Sequence, residues 1–167
     1  MTGSAARPYS EAYLLAYSAE HVAYEVDMFF GLAEILSSPT RSISASSADG
    51  VRIVNNSLVE SFGIHLRNMI DFLYLDNPRP SDVVAADFCI SGQWEDLRPA
   101  ISQILDITRV RANKELAHLS TDRIAGTDPA KGWAFTALAN EIRPIIQLFT
   151  RNARATALSP NVAKAVR

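Results

Sequence analysis

Cysteine is almost absent from this chain of 167 residues, which contains only Cys89. A single cysteine excludes an intramolecular disulfide and any zinc site built from several cysteine ligands. No apolar run approaches the roughly 18 residues that a membrane-spanning helix needs, so we predict no membrane association. The first residues lack the basic and apolar regions of a secretory signal. Together these absences predict a cytoplasmic protein.

A strong net charge is also absent, because 16 lysines and arginines are balanced by 18 acidic residues and the net charge is −2. The molecule as a whole is therefore not attracted to nucleic acid, and any contact with RNA requires a local basic patch. Hydrophobic residues make up 48% of the chain, which is ordinary for a globular protein. The length suits one helical domain over residues 1–167, with its core at about 9–152.

Apolar residues recur at helical spacing in four segments, whereas no alternating pattern predicts a strand. The predicted helices cover residues 9–36, 51–76, 95–120 and 129–152. The apolar stripe predicted for the first helix consists of Leu14, Tyr17, His21, Tyr24, Met28, Leu32 and Ile35. The stripe of the second consists of Leu58, Phe62, Leu66, Met69 and Leu73, and that of the third consists of Ile101, Leu105, Thr108, Ala112, Leu116 and Leu119. The inward residues of the fourth are Leu138, Ile142, Ile145 and Phe149. Because such faces must be buried against one another, we predict an all-α fold, a four-to-five-helix up-and-down bundle.

Proline, serine and glycine mark the predicted connections between these helices. A serine-rich loop is predicted at 37–50, and the prolines at 77–80 should stop the second helix. Ser81 is predicted to cap a short turn at 82–86. Pro99 should lie in the first turn of the third helix, and Pro144 should kink or break the fourth. Residues 153–167 are predicted to fray.

The segment 109–118 carries the residues best suited to chemistry. Arg111 and His118 are seven residues apart, so on a helix they lie within about 20° of one face, with Glu115 between them. A histidine with a pKa near neutrality can accept the proton of an RNA 2′-OH and return one to the leaving oxygen. An arginine can hold the phosphate oxygens as negative charge develops.

An arginine followed by four to six residues and a histidine, late in a helical bundle, resembles the hallmark of the HEPN (higher eukaryotes and prokaryotes nucleotide-binding) superfamily. The match here is Arg111 and His118, with six residues between them and Ala112 where family members often have a polar residue. The resemblance implies a HEPN-like, metal-independent endoribonuclease of a toxin–antitoxin or defence system, which needs no cofactor. It also implies a homodimer with a composite cleft, and an antitoxin or nucleotidyltransferase partner.

On this interpretation His118 is the acid and base, Arg111 is the phosphate clamp, and the product is a 2′,3′-cyclic phosphate. Asn113 and Glu115 orient or bound the pocket. A polar row on the second predicted helix should complete the cleft opposite His118. It consists of His65, Asn68 and Asp71, with Arg67 beside them. Arg67 and Asp71 also suit an ordinary helix-stabilising pair at i and i+4.

Other functions remain open from the sequence alone. A non-enzymatic, dimeric helical module that binds a nucleotide, RNA or a protein partner through the same groove would also explain the residues. A pair such as Arg111 and His118 is common by chance, since many helices carry a surface or interface contact of this kind. A third hypothesis is a metal or small-molecule site, because the segment 115–118 contains a Glu-x-x-His motif. A di-iron bundle requires a second copy of this motif, and the sequence contains none. We therefore predict no metal site.

Overall fold

The computed structural model describes residues 9–115 and 132–166, with Glu115 described by its backbone alone. All regular structure in these residues is helical, and no strand occurs among them. The elements are α1 (Glu11–Tyr17), a π-helical turn (Ser18–Val22), α2 (Ala23–Ser37), α3 (Ala48–Tyr74), a 3₁₀ turn (Ala85–Phe88), α4 (Gln93–Leu97), α5 (Gln103–Glu115), α6 (Phe135–Asn152) and α7 (Pro160–Ala165). The all-α prediction is confirmed for this part of the chain.

The long first helix consists of α1, the π-turn and α2 without interruption. Ser10 caps its start, because the side chain of Ser10 accepts a hydrogen bond of 3.2 Å from the backbone N–H of Tyr13. The predicted apolar stripe is wrong in part, since Tyr24 and Ile35 are 54% and 47% exposed. The buried face instead runs through Leu14, Ser18, Val22, Val26, Phe29, Phe30, Ala33 and Leu36. The π-turn is the cause, because it shifts the register by one residue.

The helix α3 begins at Ala48, within the predicted serine-rich loop, because Ser47 caps its first turn. The Ser47 hydroxyl accepts a hydrogen bond of 3.0 Å from the N–H of Gly50, so Asp49 and Gly50 lie in the first helical turn. The predicted inward stripe is confirmed, with its first member half-buried and the others buried: Leu58, Phe62, Leu66, Met69 and Leu73. The helix ends at Tyr74, ahead of the two prolines at 78 and 80.

The predicted third helix is in fact two helices, α4 and α5. Arg98 adopts an extended backbone with ψ of 136°, as a residue before proline prefers, and Pro99 therefore separates the helices. Leu105, Thr108 and Ala112 are buried as predicted for this segment. The prediction of a short turn at 82–86 capped by Ser81 is also wrong, because the 3₁₀ turn starts at Ala85 and Ser81 does not cap it.

The C-terminal residues 153–166 are ordered against the bundle, so the prediction that they fray is wrong. Ala157 and Val162 are fully buried. The Arg154 backbone N–H donates to the Phe88 carbonyl at 2.9 Å, and its guanidinium donates to Glu11 at 2.8 Å. In α6, Pro144 lies within the helix without ending it. The predicted inward residues of α6 are all buried: Leu138, Ile142, Ile145 and Phe149.

The helix α2 lies at the centre of the fold, where it packs against α3, α6 and α7. The buried side chains of these helices form one continuous hydrophobic cluster, and Phe29, Phe62 and Phe149 are fully buried in it. On its other side α3 packs against α5. Within residues 9–115 and 132–166, no helix combines the length and the hydropathy that crossing a bilayer demands.

Candidate functional site

An open cleft of about 680 Å³ lies between the long first helix and α3. The connection that follows α3 contributes the rest of its lining. The main polar side chains of the cleft are Tyr17, His21 and Glu25 on the first helix, Arg67, Asn68 and Asp71 on α3, and Arg79 and Asp82 in the connection. Both signs of charge and three aromatic rings, those of Tyr17, His21 and Phe72, therefore surround one concave surface.

The π-turn determines which side chains of the first helix reach this cleft. In an α-helix each step of four residues overshoots a full turn by about 40°, so a row at this spacing winds around the helix. A π-turn takes more residues per turn and cancels part of that rotation. Tyr17, His21 and Glu25 consequently line the same cleft, although two regular steps would separate the first and last by about 80°.

Ser18 fixes the π-turn from the opposite side. This residue is fully buried, and its hydroxyl accepts a hydrogen bond of 2.9 Å from the backbone N–H of Ser159. The same hydroxyl donates to the Leu15 carbonyl at 3.0 Å, with the Ala157 carbonyl 3.4 Å away. Hydrogen bonds to the C-terminal segment therefore hold the buried side of the π-turn. His21 lies on the opposite side of the turn and lines the cleft.

Four aromatic side chains form a row that leads along the first helix into the cleft. The ring centroids of Tyr9 and Tyr13 are 5.2 Å apart, those of Tyr13 and Tyr17 are 6.0 Å apart, and those of Tyr17 and His21 are 4.8 Å apart. Burial raises the pKa of Tyr17, and the nearby Tyr13, Glu25 and Tyr9 raise it further. The Tyr17 hydroxyl therefore stays protonated at neutral pH and keeps its hydrogen-bond donor.

Two of the predicted pocket residues, His65 and Asn68, contact the carboxylate of Glu25. The Nδ1 atom of His65 lies 2.7 Å from Glu25 Oε2, and Asn68 donates to the same oxygen at 3.2 Å. His65 is buried, and the ring of Tyr24 contacts it edge-on at 5.6 Å. Because a carboxylate oxygen accepts, Nδ1 of His65 is the donor of this bond. The neighbouring donors thus fix the orientation of the Glu25 side chain.

Asp71 links α3 to α5 through two arginines. Its Oδ2 lies 3.5 Å from Arg67 Nε, and its Oδ1 lies 3.7 Å from Arg109 Nη1. Both separations are longer than a direct hydrogen bond, so the contacts are electrostatic. The predicted pair of Arg67 and Asp71 at i and i+4 is therefore present, with a third charge from the neighbouring helix added to it.

Arg111 lies on α5 and contacts the residues just before α6. Its guanidinium carbon is 4.3 Å from the centroid of the Trp133 ring, which is within cation–π distance. Its Nη1 donates to the Gly132 carbonyl at 2.9 Å. Trp133 in turn contacts Phe62 of α3 edge-on at 6.3 Å. The position of this cation is thus determined by an aromatic ring that rests on the core.

The structure brings only some of the predicted site residues together. Asn68 and Asp71 line the cleft, and His65 supports it through Glu25. Arg111 and Asn113 lie on α5 and do not belong to the lining of this cleft. His118 and the side chain of Glu115 lie outside the described residues, so the pairing of Arg111 with His118 stays a prediction.

Sequence reasoning missed Glu25 and Tyr17 as residues of the cleft. The available signal was their spacing of four on either side of His21, which places polar and aromatic groups at regular intervals on one helix. Tyr17 and His21 were instead assigned to the apolar stripe, because they recur in steps of three and four with its other members. In the structure His21 lies in the π-turn and is exposed.

In the part of the chain that the structure describes, no group of three or more His, Cys, Asp or Glu side chains is arranged to hold a metal ion. The chain matches no protein-family model, no curated protein and no solved structure.

Proposed function

We propose that the chain is a HEPN-like, metal-independent endoribonuclease in which Arg111 binds the scissile phosphate and His118 transfers protons. The observation that supports this proposal is the fixed placement of Arg111. Trp133 and the Gly132 carbonyl hold its guanidinium at a defined position on α5. A cation that is already oriented loses little freedom when it binds a phosphate, which favours stabilisation of the transition state.

The chemistry follows from the two side chains. His118 takes the proton of the ribose 2′-OH, whose oxygen attacks the adjacent phosphorus. The bond from phosphorus to the 5′-oxygen breaks, and the imidazolium returns a proton to that leaving oxygen. The products are a 2′,3′-cyclic phosphate and a free 5′-OH, while Arg111 offsets the charge on the non-bridging oxygens. General acid–base catalysis of this kind contributes about 10²- to 10⁴-fold to the rate.

The charge of α5 is compatible with an RNA substrate. This helix carries Arg109, Arg111 and Lys114 within six residues, and Lys114 is exposed. Closely spaced cations attract the phosphate backbone even when the net charge of the protein is slightly negative. A homodimer would bring two such segments into one cleft, and an antitoxin or nucleotidyltransferase would serve as the regulatory partner in the cytoplasm.

The decisive experiment compares RNA cleavage by the wild type, His118→Ala and His21→Ala in the presence of a chelator. His21→Ala is the matched control, because it removes an exposed histidine that lines a cleft to which Arg111 does not belong. We expect His118→Ala to lower the cleavage rate by about 10²- to 10⁴-fold while the control keeps it. Equal cleavage by all three proteins, or complete loss of activity in chelator, would contradict the proposal.

A non-enzymatic helical module is the second candidate, and the same contact of Arg111 favours it. A guanidinium that contacts Trp133 and Gly132 holds the end of α5 against the residues that precede α6. On this alternative Arg111→Ala lowers stability, and the wild type binds RNA or a protein without cleaving it. Arg52→Ala, at an exposed i, i+3 ion pair on α3, is the control for loss of a surface cation.

A further inference from the structure

The long first helix is strongly acidic, which net charge alone conceals. Residues 11–37 contain five carboxylates, while all 16 lysines and arginines of the chain lie outside this helix. The acidic residues are Glu11, Glu20, Glu25, Asp27 and Glu34. At physiological ionic strength charges are screened beyond about 8 Å, so a ligand on this helix responds to the local carboxylates. Glu11 is already paired with Arg154 at 2.8 Å, so the carboxylate of this helix that lines the cleft, Glu25, is the one that can attract a cation there.

The aromatic row lies on this acidic helix and continues into the cleft. Tyr13 is 47% exposed, His21 is also exposed, and Tyr17 between them is half-buried. Tyrosine rings attract cations through their electron-rich faces, and a planar guanidinium stacks on them more closely than an ammonium group does. The row is longer than one side chain can cover, which favours an extended peptide over a small free amine.

Glu25 provides an acceptor at the inner end of the row. The hydrogen bonds from His65 and Asn68 both go to Oε2, and no described residue donates to Oε1. The side chain is 29% exposed and lines the cleft. A carboxylate held in one orientation by two donors can accept the charge-assisted bonds that a guanidinium offers. Asp71 lies in the same cleft, and its contacts with arginines are longer than hydrogen bonds.

We propose that this cleft and the aromatic row bind an arginine-bearing segment of a protein partner. An arginine side chain of the partner stacks along the row beside Tyr17 and donates to Oε1 of Glu25. A second cation of the same segment lies over Tyr13. The cleft provides the concave part of the site, and the row provides its length. This surface is separate from Arg111, so the inference does not rest on the ribonuclease proposal.

The test uses a fluorescently labelled peptide with two arginines spaced by glycine, and a twin in which both arginines are citrulline. Citrulline keeps the planar shape but has no charge, so the pair isolates the cation. In fluorescence anisotropy at 50 mM salt, we expect the citrulline twin to bind at least about tenfold more weakly, because the charge-assisted bonds are lost. Equal binding of the two peptides overturns the proposal.

Protein variants then locate the site. We expect Glu25→Gln to weaken binding of the arginine peptide about tenfold and Tyr13→Leu about threefold. Asp96→Asn removes an exposed carboxylate from α4 and should leave the affinity unchanged, as should His118→Ala. Tyr13 is largely exposed, so its variant tests the site even if Glu25→Gln lowers stability.

Two outcomes count against the inference at this stage. One is that Glu25→Gln and Tyr13→Leu both bind the peptide as tightly as Asp96→Asn does, which would place the peptide elsewhere. The other is that a labelled single-stranded RNA binds and is displaced from this surface by the same two substitutions, which would identify RNA as the occupant. Retained RNA cleavage in Glu25→Gln, together with lost peptide binding, would separate this site from the proposed catalytic one.

Discussion

Replacing Ser18 with alanine tests whether the C-terminal segment fastens the π-turn. The substitution removes the acceptor of the Ser159 N–H, which lies 2.9 Å from the hydroxyl in a fully buried position. A buried donor without a partner costs about 1–3 kcal/mol, so we expect the free energy of unfolding to fall by about 2 kcal/mol. For a chain of this length that corresponds to a Tm lower by about 4–8 °C.

The measurement is urea and thermal unfolding of Ser18→Ala beside Ser57→Ala. Ser57 is an exposed helical serine whose hydroxyl donates only to the Ile53 carbonyl of its own helix, so its loss should change stability by less than about 0.5 kcal/mol. The π-turn should also become more dynamic, which faster amide exchange at His21 and Val22 would reveal. A Ser18→Ala protein as stable as Ser57→Ala would refute the anchoring role.

Two further predictions concern buried groups. Burial raises the pKa of the Cys89 thiol from 9.0 to about 11, so we expect a disulfide reagent at pH 8 to modify it only on unfolding; rapid reaction of the native protein would contradict this. Because the folded pKa is the higher one, the contribution of this thiol to stability is complete below about pH 9 and is lost as the pH rises towards 11. Trp94→Phe should lower the free energy of unfolding by about 1–3 kcal/mol in urea, because the buried indole N–H donates to the Leu73 carbonyl at 2.9 Å. A loss below 0.5 kcal/mol would show that this bond and the volume of the indole contribute little.

Sequence periodicity predicted the helices whose burial is decided by simple apolar stripes. In α3 and α6 the inward residues recur at regular helical spacing, so one buried face followed directly from the pattern. The stop after Tyr74 was also predictable, because two prolines in close succession cannot continue a helix. The break at Pro99 was missed because a proline suits a first helical turn as well as a connection, and composition does not distinguish the two.

The candidate cleft was only partly predictable, because its walls come from distant parts of the chain. The polar row of His65, Asn68 and Asp71 marked one wall, yet the residue that organises it, Glu25, lies 40 positions before His65. The position of Glu25 in the cleft depends on the π-turn, and no local pattern of residue types predicts that turn. The turn is stabilised by a hydrogen bond between Ser18 and Ser159, and such long-range contacts are not visible in a periodicity analysis.

The distribution of charge is compatible with the two binding surfaces that we propose in a protein with a net charge of only −2. The long first helix contains carboxylates without lysine or arginine, whereas α5 presents Arg109, Arg111 and Lys114. The helix α3 packs against both α2 and α5, and Asp71 on α3 faces arginines from its own helix and from α5. Because screening limits each charge to its own neighbourhood, an anionic ligand favours α5 and a cationic one favours the first helix. The net charge of the whole chain does not reveal this difference between the two surfaces.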